Sequence, residues 1–597
     1  MRRTRATLFL LIALLVVGSF AGCKAEETTQ NTAGESATES QTQTEAPKAD
    51  VSDERKETLI ITGLAWGAPT NFNVLTGFPA WPCDKGGSGL VYEPMFMYNS
   101  KSQELEPLVA TDYTWENDYT VRINLNENAR FSDGEALTSE DVKYTFELGK
   151  RYSVAWNGIW THLDKIETEG DHTLVFTLKQ DPLNRLALIE NMVNVAIQPE
   201  HIWAPIEKEN NYDESALANI FNEDPIGSGP YKVHKYDETR ITIVREDGYW
   251  GKSLFGKLPA PKYITHLLFS GNDGASNALE NGDLDYSENF HPNIWTMQEE
   301  GAPIKTYLKE APYYLGDSIP SIWLNTHQEG LNNPEVRRAL AYAINYPMIS
   351  EMALSGYSRE MVPAITIDST SEDNLVDKTG FNDLQWTFDL DKANEILDSI
   401  GAVPGDDGIR VLADGTRLGP WVVESPHGWS DWNASLEIVA QSAKKVGIEI
   451  ISETPEYSVW ENNRNTGQFD IAMYTPASYI TPANPWKRGH DLMYSKGVGE
   501  IGEQAFWNYG RYHNDRANEI IDAIPAETNP EKLKELYTEL NKIYLTDIPS
   551  IPLMYRPTYF YTVNESVWSG FPTEGSDLPA YMFDGAGIRG LYEIDNN

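Results

Sequence analysis

The stretch Leu436 to Ser452 changes hydrophobic period partway along, and that change constrains the fold more than any other feature. Leu436, Val439, Ala443 and Val446 recur at helical spacing, Gly447 stops the run, and "IEIIS" follows as a strand. The device recurs. Asn333-Pro334 opens a helix with Val336, Leu340, Ala343 and Ile344 on one face, and Ala393, Ile396, Leu397 and Ile400 form a stripe stopped by Gly401. Asn529-Pro530 opens another, carrying Leu533, Leu536, Tyr537, Leu540 and Tyr544. Helix, glycine stop and strand is the rhythm of an α/β layer. The first third alternates with period two instead. Tyr119, Val121, Ile123 and Leu125 share a face, as do Leu174, Phe176 and Leu178, and later Ile241 and Ile243. Between these runs Ser132-Asp133-Gly134 predicts a turn. Thr138 with Asp141 predicts a capping box opening a helix with Val142 and Phe146 inward.

Residues 1–23 point outside the cytoplasm. Arg2, Arg3 and Arg5 precede an apolar run, Leu8 to Val17, too short for a stable span, and "SFAGC" closes the segment at Cys23. That ending resembles the lipobox of bacterial lipoproteins, in which the cysteine after the cut carries the lipid. A stop-transfer anchor and a plain secretory peptide are the alternatives. Residues 24–56 lack large apolar groups and predict a disordered tether of roughly 30 Å average span. Once Cys23 is acylated, Cys83 has no partner for a disulfide, so packing must stabilise the fold. About 540 residues follow the tether, enough for two or three domains.

A net charge of −42 argues against nucleic acid, which needs a basic footprint. The carboxylates are dispersed, as on a solvated acidic surface. Seventeen Trp and 31 Tyr are a heavy aromatic load, most of it core and some of it available to a site. The ten histidines include no HExxH and no metal-ligand spacing, so no metal and no cofactor is expected. "GKS" at Gly251–Ser253 is no P-loop, because Glu246 stands where its first glycine belongs. Ser228 is no nucleophile elbow, because Ile226 and Pro230 flank it at the glycine positions. No catalytic residue emerges. A glycoside-hydrolase acid pair cannot be picked out from 89 acids.

Five segments in order carry a family resemblance: "ARFSDGEALTSEDVKYTFE", "PIGSGPYKVHKY", "NNPEVRRALAYAINYPMI", "FDLDKANEILDSIG" and "KKVGIEIISETPEYSVWENNRNTGQFDIAMY". Together they resemble the family 5 extracellular solute-binding proteins of ABC importers, the oligopeptide- and dipeptide-binding class, over nearly everything from Glu57 to the C-terminus. The resemblance implies an α/β fold, a two-lobed periplasmic-binding-protein-like clamp of three domains with mixed sheets and a hinge. Ligand would be enclosed by hinge closure and handed to a membrane permease. Mapped onto this chain, domain I takes residues 57–96, 226–312 and 556–597, domain II 97–225, and domain III 313–555. The implied protein is an extracytoplasmic monomer, lipid-anchored at Cys23 to the outer face of the cytoplasmic membrane.

Peptide-binding members carry an aspartate just after the strand that here reads "GQFDIAMY", paired with the peptide ammonium. The aligned stretch is Ala477-Ser478-Tyr479-Ile480-Thr481-Pro482, with Ser478 in the aspartate's place. A serine can bond a hydroxyl but cannot neutralise an ammonium. Aromatic residues in loops point the same way: Trp66 in "GLAWGAPTNFN", Trp429 and Trp432 in "SPHGWSDWN", and Tyr474, Tyr479 and Trp486 around Ser478. Flat rings with amide and hydroxyl partners suit sugar rings. The segments "FWNYGRYHN" and "IPLMYRPTYF" resemble the carbohydrate-binding branch of the family. Asn71, Asn73, Asn325 and Asp431 are the candidates for hydroxyl contacts. The leading ligand is therefore a cello-, manno- or xylo-oligosaccharide, ahead of a peptide, with an exported glycoside hydrolase third.

Overall fold

A computed structural model describes residues 52–76, 79–84 and 89–597. The leader, Cys23 and most of the expected tether lie outside the described residues. The end of that tether is a correction: Asp53–Glu57 forms a helical turn capped by the Ser52 side chain. Arg55 clamps it with two bonds of 2.8 and 2.7 Å to buried Asp285, whose carboxylate also accepts the Ile60 N–H. A bidentate guanidinium–carboxylate pair fixes a short segment that its composition alone would leave loose.

Among the described residues the strands form sheets of seven, five and four strands, with three two-stranded ribbons. The seven-stranded sheet centres on Thr58–Thr62, parallel to Tyr263–Leu267 on one side and to Tyr286–Ser287 on the other. Its outer strands, from Arg240–Arg245 to Thr562–Asn564, run antiparallel to their inner neighbours. The four-stranded sheet is antiparallel throughout, and the predicted alternation holds: Val121, Ile123, Leu174 and Phe176 are fully buried. The five-stranded sheet is mixed. Ile450–Glu453, Trp421–Glu424 and Ile471–Tyr474 run parallel, and Ser321–Leu324 pairs antiparallel with both Ile471–Tyr474 and Ser550–Pro552.

The helices follow their signals. Asn333 and Asn529 cap Pro334–Ala343 and Pro530–Asp547 through their side-chain oxygens, and Leu390–Ser399 and Ser430–Lys444 end before Gly401 and Gly447. The capping box forms, with Asp141 accepting the Thr138 N–H at 2.8 Å. "GSGPY" has glycines for a steric reason: a Cβ on Gly227 or Gly229 would lie 1.9 or 2.3 Å from the carbonyl oxygens of Val91 and Leu90.

These layers make a mixed α/β clamp. One lobe packs around the five-stranded sheet, with a core running from Ile319 to Tyr555. The other carries the seven- and four-stranded sheets and their cores. Between the lobes Ser318 and Arg556 pair antiparallel, each N–H donating to the other's carbonyl at 2.9 and 3.1 Å.

Candidate interlobe binding site

Trp421–Glu424 and Ile471–Tyr474 are parallel neighbours, so the loops that follow them leave the same edge of the five-stranded sheet. The first loop delivers Trp429, half-buried, to the start of Ser430–Lys444. Its ring meets Trp66 of the other lobe at 5.1 Å between centroids, and also Trp432 at 4.8 Å, Trp460 at 5.9 Å and Tyr457 at 6.1 Å. Trp460 continues to Tyr474 at 6.0 Å, and Tyr474 to Tyr509 at 5.4 Å. The Arg464 guanidinium lies over this end, 4.1 Å from the Tyr474 centroid, 4.7 Å from Trp460 and 5.0 Å from Tyr509. A cation over ring faces is attractive where water is excluded, and it orders rings that would otherwise be free to rotate.

Trp66 is held from below. Leu64 and Ala65 donate their N–H groups to His266 Nε2 at 2.9 and 3.1 Å. Burial pushes His266 down to about 3, so the ring stays neutral and keeps a lone pair for both.

The remaining sequence candidates separate by burial. Asp431 is buried and pairs with Arg556 at 2.7 Å, tying the Trp429 helix to the crossing between lobes. Tyr479 is half-buried; its N–H donates to the Asp317 carbonyl at 2.7 Å, and its hydroxyl meets Ser371 at 2.8 Å and the Gln103 amide of the other lobe. Ser478 is buried, and its carbonyl accepts from Thr481 N–H and the Asn484 amide. A carboxylate does stand near this loop, Asp491, which accepts the Ala477 N–H at 3.1 Å and pairs with Lys487. Burial pushes the Asp491 carboxyl up, but Lys487 and His490 together hold it below its ordinary range.

Several candidates are scaffold. Asn73 is fully buried; its amide donates to the Leu217 and Ile220 carbonyls and its oxygen accepts the Leu75 N–H. Asn71 accepts the Asn73 N–H within the same turn. Asn325 bonds the Phe469 carbonyl at 2.8 Å and the His327 N–H at 3.0 Å. These amides hold backbone. Trp432 and Trp486 are buried at 3% and 4% exposure, Trp486 donating to the Ile521 carbonyl, so both are core rings.

The sequence reading missed Tyr457, the core ring Trp460 behind it, Arg464 and Tyr509. The first three were legible as a stripe at i, i+3 and i+7 on Tyr457–Thr466. It also missed Ile480, which is 7% exposed and joins the core of Leu59, Ile61 and Tyr581 in the opposite lobe.

The chain is similar to Protein XP55 of Streptomyces lividans, 25% identical over 543 residues and 88% of each chain. It is similar to the probable peptide-binding protein YejA of Agrobacterium fabrum, 24% identical over 519 residues, 79% of this chain and 81% of that one. Among solved structures, the mannohexaose-bound periplasmic oligopeptide-binding protein of a Thermotoga maritima oligopeptide ABC transporter superposes with a TM-score of 0.83. It is 29% identical and covers 92% of this chain and 100% of its own. The Bacillus subtilis oligopeptide-binding protein AppA, in complex with a nonapeptide, shares the fold at a TM-score of 0.72 and 18% identity, covering 90% of this chain and 99% of its own. The model for bacterial extracellular solute-binding proteins, family 5 (middle region), matches residues 104–488, and this chain belongs to that family.

Proposed function

We propose that this protein captures a soluble oligosaccharide, of the cello, manno or xylo class, by closing its two lobes, and delivers it to the permease of an ABC importer. The carrying observation is the ring cluster in which Trp66 of one lobe meets Trp429 of the other, backed by Trp460, Tyr457 and Tyr474. Sugar C–H faces pack on indole and phenol rings, while equatorial hydroxyls take polar contacts at their edges.

Two further facts support this ligand class over a peptide. Ser478 cannot neutralise an ammonium, and Asp491 is already paired with Lys487. The Thermotoga maritima protein, at 29% identity, has mannohexaose bound. The peptide reading rests on the naming of the Agrobacterium fabrum relative as a probable peptide-binding protein. We further assign residues 57–96, 226–312 and 556–597 to domain I, 97–225 to domain II and 313–555 to domain III, with a monomer lipid-anchored through Cys23 outside the cytoplasm.

Calorimetry with mannohexaose, cellobiose, xylobiose and a mixture of short peptides tests the ligand class. Heat from at least one sugar and none from peptides is the expected result. Peptide binding without sugar heat overturns it, and product formation from any sugar would make the protein a hydrolase.

A further inference from the structure

The two lobes touch at a point that is not part of the ring cluster. Asn272–Glu280 is a helix of the seven-stranded lobe, and Ser430–Lys444 belongs to the five-stranded one; neither has a side-chain cap of its own. Their starts abut. The Gly428 carbonyl accepts the Asn272 N–H at 3.1 Å, so one lobe supplies the other's helix with a partner for an otherwise orphaned donor. Asn272 Nδ2 donates to Ser430 Oγ at 3.0 Å, and Asn289 Nδ2 donates to Asn272 Oδ1 at 3.1 Å. Asn272 and Asn289 are both buried.

Only glycines permit this approach. A Cβ on Gly428 would stand 2.2 Å from the Ser270 carbonyl oxygen, and one on Gly271 would stand 3.0 Å from Gly428 Cα. Gly428 also has φ near +80°, a region that disfavours any side chain. The contact adjoins Trp429, the ring that meets Trp66.

We infer that Asn272, Ser430 and the Gly271–Gly428 contact form a closure latch: positioning residues that set affinity by stabilising the closed clamp without touching the ligand. The inference rests on binding by lobe closure, as proposed above, and not on the ligand being a sugar. The Asn272–Ser430 and Asn272–Gly428 bonds each join one lobe to the other, so on the proposed closure their loss lowers the closed population. Apparent affinity then falls by the same factor for every ligand.

The test measures Kd and dissociation rate for mannohexaose, cellobiose and short peptides with the full protein and three variants, Asn272→Ala, Ser430→Ala and the double. Expected are a loss of roughly tenfold for Asn272→Ala, equal across all ligands that bind. It should be carried by faster dissociation. The melting temperature of the ligand-free Ser430→Ala protein should stay the same, whereas Asn272→Ala also strips buried Asn289 of its acceptor and should lower it. The double variant should be no worse in affinity than the poorer single one. Gly428→Ala should cost more, roughly a hundredfold, because the added methyl blocks approach outright. If only peptides bind, the sugar reading fails while the latch is tested on peptides. Should no ligand in the set bind, spin labels at exposed Glu238 and Lys445 still report closure: the short-distance population must fall in Asn272→Ala. Unchanged affinity in Asn272→Ala overturns the latch. So does a loss confined to one ligand, additive single effects, a fall in ligand-free melting temperature in Ser430→Ala, or an unchanged distance distribution.

Discussion

Two loops leave the same edge of the five-stranded sheet, 425–429 and 475–485, and aromatic rings sit in or beside both, Trp429 in the first and Tyr474, Tyr479 and Trp486 along the second, yet they do different work. The first is short and keeps Trp429 half-buried against Trp66 of the other lobe. The second is longer and turns inward: Ser478 is buried, and the helix it leads into starts at the buried Trp486. What it sends across is Ile480, into the opposite core, and the Tyr479 hydroxyl, onto Gln103. One loop offers a ring face at the cleft; the other plugs the lobes together. Aromatic density alone therefore does not mark a binding wall. The exposure left after each loop hands over to its helix does.

Four outcomes would break or sharpen that contrast. Behind the first loop, Trp460 is 1% exposed and touches Trp429, Trp432 and Tyr474. Trp460→Ala should cost about 3–5 kcal/mol of ligand-free stability in denaturant melts, as for a core ring. An unchanged midpoint would place that ring in the site instead.

Asp317, whose carbonyl accepts the Tyr479 N–H, has its carboxyl pushed up to about 6 by burial, opposed by bonds from Tyr581 and Thr558. An acid raised on folding contributes stability that is full below about pH 4 and lost as pH rises through about 6. Stability should thus fall by roughly 2–3 kcal/mol across that window from this group. Asp317→Asn should flatten the fall, read as melting temperature against pH. A slope unchanged by the substitution would detach the second loop's anchor from titration.

Trp429→Ala should weaken sugar binding by about ten- to a hundredfold and lower ligand-free stability far less than Trp460→Ala, since the ring is only half-buried. Calorimetry beside a thermal melt reads both, and a large melting loss would make Trp429 core. The smallest effect belongs to Tyr479→Phe. It removes exposed hydroxyl contacts to Gln103 and Ser371 and should change affinity by less than about threefold in the same titrations. A tenfold loss would mean that the second loop also grips the ligand.

The periodicities that set the fold were legible because they are local. Asn-Pro starts, glycine stops and the Thr138–Asp141 box each specify their own few residues. The burial of Trp432 was legible too. The stripe Leu436, Val439, Ala443, carried back one turn, reaches position 432 and puts that indole inside. Asn73 and Asn325 were not legible, because the carbonyls they bond lie about 145 residues away, at Leu217 and Phe469. Trp66 and Trp429 stood out in the sequence separately, as rings in aromatic loops, with no sign that they pair. The geometry of their pairing depends on His266, over 200 residues further along the chain.

The Ser318–Arg556 pairing has a mechanical consequence. Two chain segments joined side by side by one reciprocal pair of hydrogen bonds, outside any strand, have the character of a hinge: a few terminal residues that can absorb a backbone change while staying fastened to each other. Arg556 also grips Asp431, so the helix that begins beside Trp429 is bolted directly to that hinge. On the proposed closure, that coupling would bring the same indole back to the same place with each swing of the lobes.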